Sequence, residues 1–188
     1  MAFEPLREFN LVGGTALALQ LGHRKSIDID LFGLVEFNTE DMLNTLNTEF
    51  NCTGRYSFKN SLLCEIDGIK TDILRYQYPL IGEVIVEEGI RMLTPKDIAP
   101  MKLAALSQRG VKKDYYDIYF LLQIYSLEES LELYKLKYKQ TEVSHVIRSL
   151  TYFTEAEASD QPDMITPVTW KEVKLSISNV VNTYLKQK

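Results

Sequence analysis

The chain lacks the residues and runs that mark several classes of protein. Its 188 residues include only two cysteines, Cys52 and Cys64, which do not have the spacing of metal ligands. This argues against a disulfide scaffold or a cysteine-based metal site, and we expect two reduced, partly buried thiols. No apolar run approaches the roughly 20 residues that cross a bilayer. Residues 1–10 lack the basic start and apolar core of an export signal, so we expect a cytoplasmic protein without membrane contact.

Basic charge is also scarce. Lys and Arg number 21 against 26 Asp and Glu, which gives a net charge of −5. This balance argues against a general nucleic-acid coat, which would be basic overall, but it leaves room for a local basic groove. With 45% hydrophobic residues, the chain can form one globular unit or two small lobes that share a core.

Residues 11–32 carry the densest set of chemical signals. Gly13 and Gly14 allow a sharp turn and a close approach of the backbone to a ligand. Thr15 is predicted to cap the helix that follows, and the free N–H groups at the start of that helix favour an anion. The segment therefore suits a site that handles phosphate.

The segment 26–32 alternates polar and apolar residues and is predicted to form a strand. Ser26, Asp28 and Asp30 would share one face, with Ile27 and the other apolar residues directed into the core. Two neighbouring carboxylates repel each other, and a bound divalent cation such as Mg²⁺ best explains their pairing. The alternative is an ordinary amphipathic strand with a solvated acidic face.

Asp72 lies in a later predicted strand, 69–74, which follows a hairpin turn at Asp67-Gly68. An acid among apolar residues is costly unless it faces a ligand or a partner. A third carboxylate beside the strand of the first two would complete a three-acid metal cluster. Alternatively, Asp72 faces solvent and pairs with Lys70 or Arg75.

The second half of the chain is predicted to be helical. Thr94-Pro95-Lys96-Asp97 is a helix start with Thr94 as the cap, and the helix should run to about residue 108, with its first turn set apart by Pro100. Three later helix starts have capping-box spacing, at Ser126 with Glu129, Thr154 with Glu157 and Thr169 with Glu172.

Lys102 and Arg109 are seven residues apart and share one face of this helix. Asp117, in the next predicted helix, lies close to an apolar stripe and should be partly buried beside a cation. Lys102 or Arg109 is the natural partner. The alternative is a purely structural salt bridge between two helices, because a buried ion pair alone does not indicate chemistry.

These motifs together resemble a known family. GGTALAL at 13–19 and GHRKSIDIDLF at 22–32 are similar to the first motif of polymerase-β-type nucleotidyltransferases, and more narrowly to the AbiEii/AbiGii toxins of type IV toxin–antitoxin pairs. Two further patterns resemble the later motifs of that family: K-x6-R, which ends at Arg109, and K-D-x-x-D, which ends at Asp117. The resemblance implies an α/β (α+β) nucleotidyltransferase fold, a small mixed sheet flanked by helices. We expect a catalytic sheet domain at 1–93 and a helical lobe at 94–188 that completes the active site.

The resemblance also implies Mg²⁺-dependent transfer of a nucleoside monophosphate from an NTP to an acceptor hydroxyl. A tRNA 3′ end is the implied acceptor, and a separately encoded antitoxin is an implied partner. The residues carried over as catalytic are Asp28, Asp30, Asp72, Lys102 and Asp117, of which the first three are the metal ligands. The predicted nucleotide-binding residues are Gly13, Gly14, Thr15, Lys25, Ser26, Lys102 and Arg109. His23 could act as a base, but its place in the loop favours contact with phosphate or exposure.

Two other functions remain open at this point. One is a small-molecule adenylyltransferase with the same metal site, whose cationic substrate, such as an aminoglycoside, would suit the acidic chain. The other is a catalytically silent nucleotide-binding module, against which the three acids argue. The aromatic and lysine residues of 134–139 are interpreted as an exposed helix face rather than an RNA contact.

Overall fold

A computed structural model of the chain describes residues 3–188, except for the side chain of Arg55. A 3₁₀ turn at Glu4–Leu6 comes first. The strands are β1 Phe9–Leu11, β2 Ile29–Gly33, β3 Cys52–Phe58, β4 Ser61–Ile66, β5 Ile69–Arg75, β6 Val84–Glu87 and β7 Ile90–Leu93. The helices are α1 Gly13–Leu21, α2 Thr39–Glu49, α3 Pro95–Arg109, α4 Lys112–Leu121, α5 Leu127–Tyr138, α6 Ser144–Leu150, α7 Thr154–Glu157 and α8 Trp170–Lys186.

The strands form one mixed sheet in the order β3-β4-β5-β2-β1-β7-β6. Strands β2 and β5 are parallel neighbours, although most other pairs are antiparallel. Their register places Asp30 directly beside Asp72. The predicted turn between β4 and β5 is present, with positive φ angles at Asp67 and Gly68 as a two-residue hairpin requires.

The central strands have one core face and one open face. Leu31 of β2 and Ile73 of β5 are buried, while Asp30 and Asp72 point to the opposite face because side chains alternate along a strand. Helix α2 contacts β3 and β4 and contributes the buried Met42 to the core. The predicted mixed sheet with flanking helices is confirmed.

Helix α3 is central to the helical half of the chain. It contacts α1, α4, α5 and α6, and Ile98, Leu103 and Leu106 are among its buried residues. The predicted boundary between 1–93 and 94–188 coincides with the change from strands to helices, but it stays a prediction; Met1 and Ala2 lie outside the described residues. Within residues 3–188, no helix combines the length and the apolar character that a membrane span needs.

The strand predicted at 26–32 begins only at Ile29, and the prediction for its first half is wrong. Ile27 is 76% exposed, because the preceding segment bonds to a distant loop instead of the sheet. The N–H of Lys25 donates to the carbonyl of Asp163 at 2.8 Å, and the N–H of Ile165 donates to the carbonyl of His23 at 3.0 Å. Alternation cannot reveal contacts between residues so far apart in sequence.

Several predicted caps are replaced by other contacts. Thr15 lies inside α1 and its hydroxyl bonds to Ser26 and to the carbonyl of Asp28, so it does not cap the helix. Thr94 precedes α3 but makes no side-chain cap, and α3 runs continuously through Pro100. The predicted capping box at Thr154 is absent from its described side chains, because Glu157 binds Trp170 and Lys174 instead.

The two cysteines are more deeply placed than expected. Cys52 and Cys64 are buried thiols rather than partly buried ones, since both lie in strands covered by α2. The thiol of Cys64 donates to the carbonyl of Thr71 at 3.4 Å.

Candidate active site

A cavity of about 460 Å³ opens between the free face of the sheet and helix α3. Its size is in the usual range for small-molecule sites. The sheet side contributes Asp28, Asp30 and Asp72, and the helix side contributes Lys102 and Arg109. The cavity therefore brings acidic and basic groups together from segments up to 81 residues apart in sequence.

Asp30 and Asp72 form the centre of the acidic wall. They are register partners on parallel strands, and burial, followed by the charge of Asp72, raises the pKa of Asp30 above its ordinary value. Nζ of Lys70 lies 3.1 Å from the Asp72 carboxylate. Asp72 therefore forms the ion pair with Lys70 that the sequence offered as an alternative, and it also lines the cavity. Lys70 and Lys102 act in the opposite direction, but they do not outweigh burial together with the charge of Asp72.

Asp28 precedes β2 and lies at the edge of the cavity. Its carboxylate is 3.4 Å from Nζ of Lys113, and the two side chains are 37% and 44% exposed. In the part of the chain that the structure describes, no group of three or more His, Cys, Asp or Glu side chains is placed to hold a metal ion by itself. The adjacent carboxylates of Asp30 and Asp72 nevertheless fit Mg²⁺, because this ion is usually bound by one or two carboxylates together with substrate phosphates and water.

The glycine turn lies against both charged walls. Gly13 has a φ of +68°, and a Cβ atom there would collide with the Asp30 carboxylate. A Cβ atom at Gly14 would collide with the guanidinium of Arg24. Backbone and charged groups therefore meet at a closeness that only glycine permits.

A buried ion network lies behind the cavity and is centred on Asp117. Arg24 donates two hydrogen bonds to this carboxylate, at 2.7 and 2.9 Å, and Lys102 lies 2.6 Å from it. Burial opposes ionisation of Asp117, but Lys102, Arg24 and His23 outweigh it and lower its pKa. The same carboxylate favours the charged form of Arg24 and Lys102, so both pKa values are raised although burial opposes them. Asp117 thus holds two cations in place.

His23 is completely buried, and Nε2 of its ring lies 2.8 Å from Asp117. The expectation that His23 is exposed or touches phosphate is wrong, because its buried ring is bonded to Asp117 within this network.

The other predicted residues fall into two positions. Arg109 lies on the cavity wall and donates to Asp114 at 3.1 Å, and Ser26 also lines the cavity. Lys25 points outward and pairs with Asp163 at 2.9 Å; it borders an adjoining cavity of about 370 Å³ that it shares with Ser26, Asp28 and Lys113.

An aromatic group lines the cavity wall beyond the acids. It consists of Phe32, Tyr76, Tyr78 and Tyr138, defined here as the aromatic wall. Burial raises the pKa of Tyr138 to about 12, so its phenol stays neutral at physiological pH. The prediction that 134–139 is an exposed face is wrong at Tyr134 and Lys137, which are buried.

The profile of a known family, described as nucleotidyl transferase AbiEii toxin of type IV toxin–antitoxin systems, matches residues 6–182. The chain belongs to the AbiEii nucleotidyltransferase toxin family. The resemblance inferred from residues 13–32 and 102–117 is thereby confirmed, as is the prediction of a nucleotidyltransferase enzyme.

Other comparisons agree with the AbiEii assignment. The chain is 37% identical over 185 residues to an uncharacterised protein of Aquifex aeolicus, covering 95% of this chain and 89% of that protein. Its fold is similar to that of a crystallised H. pylori protein, with a TM-score of 0.60, 18% identity, and coverage of 96% and 87% of the two chains. It is also similar to MenT4, a nucleotidyltransferase toxin of Mycobacterium tuberculosis, with a TM-score of 0.59, 14% identity, and coverage of 93% and 74%.

Sequence reasoning on this AbiEii chain missed Arg24, Lys113 and the aromatic wall as site residues. Arg24 lies within the GHRKSIDIDLF motif and Lys113 within K-D-x-x-D, so both motifs contain a signal for these cations. The aromatic wall combines residues from β2, the segment after β5, and α5, and no local pattern predicts that these segments meet.

Proposed function

We propose that this protein transfers a nucleoside monophosphate from an NTP to the 3′ hydroxyl of a tRNA, in a Mg²⁺-dependent reaction. The proposal rests above all on the in-register pair Asp30–Asp72 facing Lys102 across one cavity. Phosphoryl transfer depends mainly on positioning and charge neutralisation, and this arrangement supplies groups for both.

In this proposal Asp28, Asp30 and Asp72 hold the metal. When bound, Mg²⁺ supplies positive charge against the triphosphate and lowers the pKa of the attacking hydroxyl. The chain supplies Lys102 and Arg109 as cavity-wall cations, with the Gly13-Gly14 backbone as a close support for phosphate. Arg24 and Asp117 act as positioning residues, because they contact Lys102 or each other behind the wall.

The acceptor oxygen forms a bond to the α-phosphorus, and the bond from that phosphorus to the β-phosphate oxygen breaks. Pyrophosphate leaves with the electron pair, and the acceptor proton passes to the carboxylate of Asp72. Asp72 suits this role because it lies at the cavity surface, with 14% of its side chain exposed, and beside the buried Asp30.

The family assignment supports the proposed partner, and the resemblance of the sequence motifs implies the proposed tRNA acceptor. An AbiEii toxin is one half of a type IV toxin–antitoxin pair, and a blocked tRNA 3′ end would stop translation in the cytoplasm. We therefore include a cognate antitoxin in the proposal, with the toxin's activity held in check by that partner.

The experiment is incubation of the full chain with each labelled NTP, Mg²⁺ and total tRNA, compared with Asp28→Ala. We expect label in the tRNA fraction with wild type, and a loss of roughly 100-fold or more in Asp28→Ala, the scale for removing one electrostatic group from an active site. Asp41→Ala is the matched control, because Asp41 is exposed on α2 and should leave transfer unchanged.

The alternatives give different results. Label in a small cationic molecule and none in tRNA would support the adenylyltransferase. Binding of Mg–NTP without transfer to any acceptor would support the silent module. Full transfer by a folded Asp28→Ala protein would overturn the proposed mechanism.

A further inference from the structure

The aromatic wall starts within one strand period of the catalytic acids. Phe32 follows Asp30 by two residues on the same face of β2, a separation of about 7 Å at the rise of a strand. Tyr76 follows Asp72 by four residues, and its N–H still donates to the carbonyl of Gly33 at 2.8 Å. The cavity thus changes from charged to aromatic along the direction of the strands.

Within the aromatic wall, Tyr76 is held rigidly. Phe32 stacks on Tyr76 at 4.9 Å between ring centroids, and Nζ of Lys137 lies 5.3 Å from the centroid of the Tyr76 ring. The hydroxyls of Tyr76 and Tyr138 are 2.8 Å apart. Tyr76 is therefore held in place by the Phe32 ring, the Lys137 cation and the hydrogen bond with Tyr138, and it supports the rest of the aromatic wall.

The segment that carries Tyr78 is also anchored. Asp97 accepts from the N–H of Gly82 at 2.7 Å and from Nζ of Lys137 at 2.7 Å. Both side chains of that ion pair are completely buried. Such a pair is costly to break, so it fixes the segment after Tyr78 against α3 and α5.

Tyr78 itself is presented to the cavity. The residue is 42% exposed, and its ring contacts are tilted or edge-on, at 59° to Tyr76 and 77° to Tyr138. Neither of these rings stacks in parallel on Tyr78. A rigid aromatic residue at the end of a charged cavity suits a ligand that has a planar ring at one end and phosphate at the other.

We propose that the aromatic wall is a nucleobase-binding platform, on which Tyr78 stacks a base of the reacting nucleotides. This inference rests on the proposed function and adds to it the part of the cavity that takes the base. The base belongs either to the incoming NTP or to the terminal nucleotide of the acceptor, which share this chemistry. Ring stacking tolerates all bases, so the platform should contribute affinity rather than choice of base.

The test measures binding of NTP and of inorganic tripolyphosphate, each with Mg²⁺, to the full chain by calorimetry. Tyr78→Ala should weaken NTP binding by roughly 5- to 150-fold, the range that one base–aromatic stack provides, and leave tripolyphosphate binding unchanged. Tyr78→Phe keeps the ring and should restore NTP binding. Tyr56→Ala is the matched control, since Tyr56 is 57% exposed but does not line the cavity.

A second measurement separates the two sources of the base. If NTP binding is unchanged but the KM for tRNA rises in Tyr78→Ala and recovers in Tyr78→Phe, the platform binds the acceptor base. If neither NTP binding nor the KM for tRNA changes, or if tripolyphosphate binding falls equally, the platform is overturned and the proposed function stands. Wild-type protein that binds neither NTP nor tripolyphosphate would overturn the proposed function as well.

Discussion

Asp30 is held in a position that favours its protonated form. Burial and the neighbouring Asp72 raise its pKa above the ordinary value of 3.8. The folded protein therefore binds this proton more tightly than the unfolded chain, and ionised Asp30 destabilises the fold at neutral pH. A group placed for charge and not for stability is typical of functional sites.

Asp30→Asn should accordingly be more stable than wild type at pH 7 in metal-free buffer. The difference should shrink as the pH falls through the raised pKa of Asp30 and vanish below about pH 4, where both states of the wild type are protonated. Urea denaturation with EDTA across this range measures it. Asp41→Asn on the exposed surface of α2 is the control, and a destabilised Asp30→Asn at pH 7 would contradict the argument.

Gly13 and Gly22 lie at the two ends of α1. Comparing alanine substitutions at these two positions distinguishes backbone strain from steric crowding of the site. Their φ angles are +68° and +62°, so alanine at either position should cost about 1–2 kcal/mol of stability. Only Gly13→Ala places a methyl group against Asp30, since nothing lies within 4 Å of the Cβ position at Gly22. Denaturation should show a loss in both variants, larger in Gly13→Ala if the contact with Asp30 is not relieved, whereas transfer assays should show lost activity in Gly13→Ala alone. Equal activity of both variants would mean that the position of the Asp30 carboxylate does not matter.

At the scale of elements, the network around Asp117 joins α4 to α3 and to the turn after α1. Asp117→Ala leaves Arg24 and Lys102 with less compensation in the interior, which should cost about 3–5 kcal/mol. Because the pKa of Asp117 is lowered, its stabilising effect is present above the unfolded value and is lost as the pH falls through the folded value. Thermal unfolding at neutral pH measures the loss.

The control for Asp117→Ala is Asp163→Ala, which breaks the ion pair between Asp163 and Lys25. Lys25 lies in the turn after α1, as Arg24 does. These side chains are 66% and 69% exposed, and exposed pairs contribute less than about 1 kcal/mol. If the two variants were equally stable, the buried network would not hold these elements together.

Helices and strands set by neighbouring residues were predicted well. The capping boxes at Ser126 and Thr169 are confirmed, with reciprocal bonds to Glu129 and Glu172. Failures occur where a distant segment competes for a side chain. Thr15 matches a cap in sequence, but Ser26 and the Asp28 carbonyl take its hydroxyl.

Candidate site residues were likewise predicted where neighbouring residues set their positions, and missed where a distant segment does. The alternation around Asp30 and Asp72 predicted their shared face, because strand geometry fixes it. The role of Arg24 depends on Asp117, 93 residues away, and the aromatic wall depends on how α5 packs. Neither is encoded in a local pattern.

At the scale of the whole molecule, the net charge of −5 limits how the protein could bind the proposed tRNA acceptor. A repulsive overall charge leaves contacts with phosphate to a few cations near the cavity. Lys25, at the adjoining cavity, Lys113 and Arg109 are 69%, 44% and 55% exposed, and we take these three as the phosphate contacts. Three contacts with a single strand should give a slope of about −2 in log affinity against log salt.

The slope can be measured by fluorescence anisotropy with labelled tRNA between about 50 and 200 mM salt. Lys113→Ala should make it shallower by about 0.7 and weaken binding at every salt concentration. Lys188→Ala, just beyond the end of α8, should change neither quantity, because Lys188 pairs with Glu128 on the surface. A slope steeper than about −5 would require an extensive basic surface, which contradicts binding confined to the cavity; a slope near zero would mean that these cations do not touch RNA phosphate.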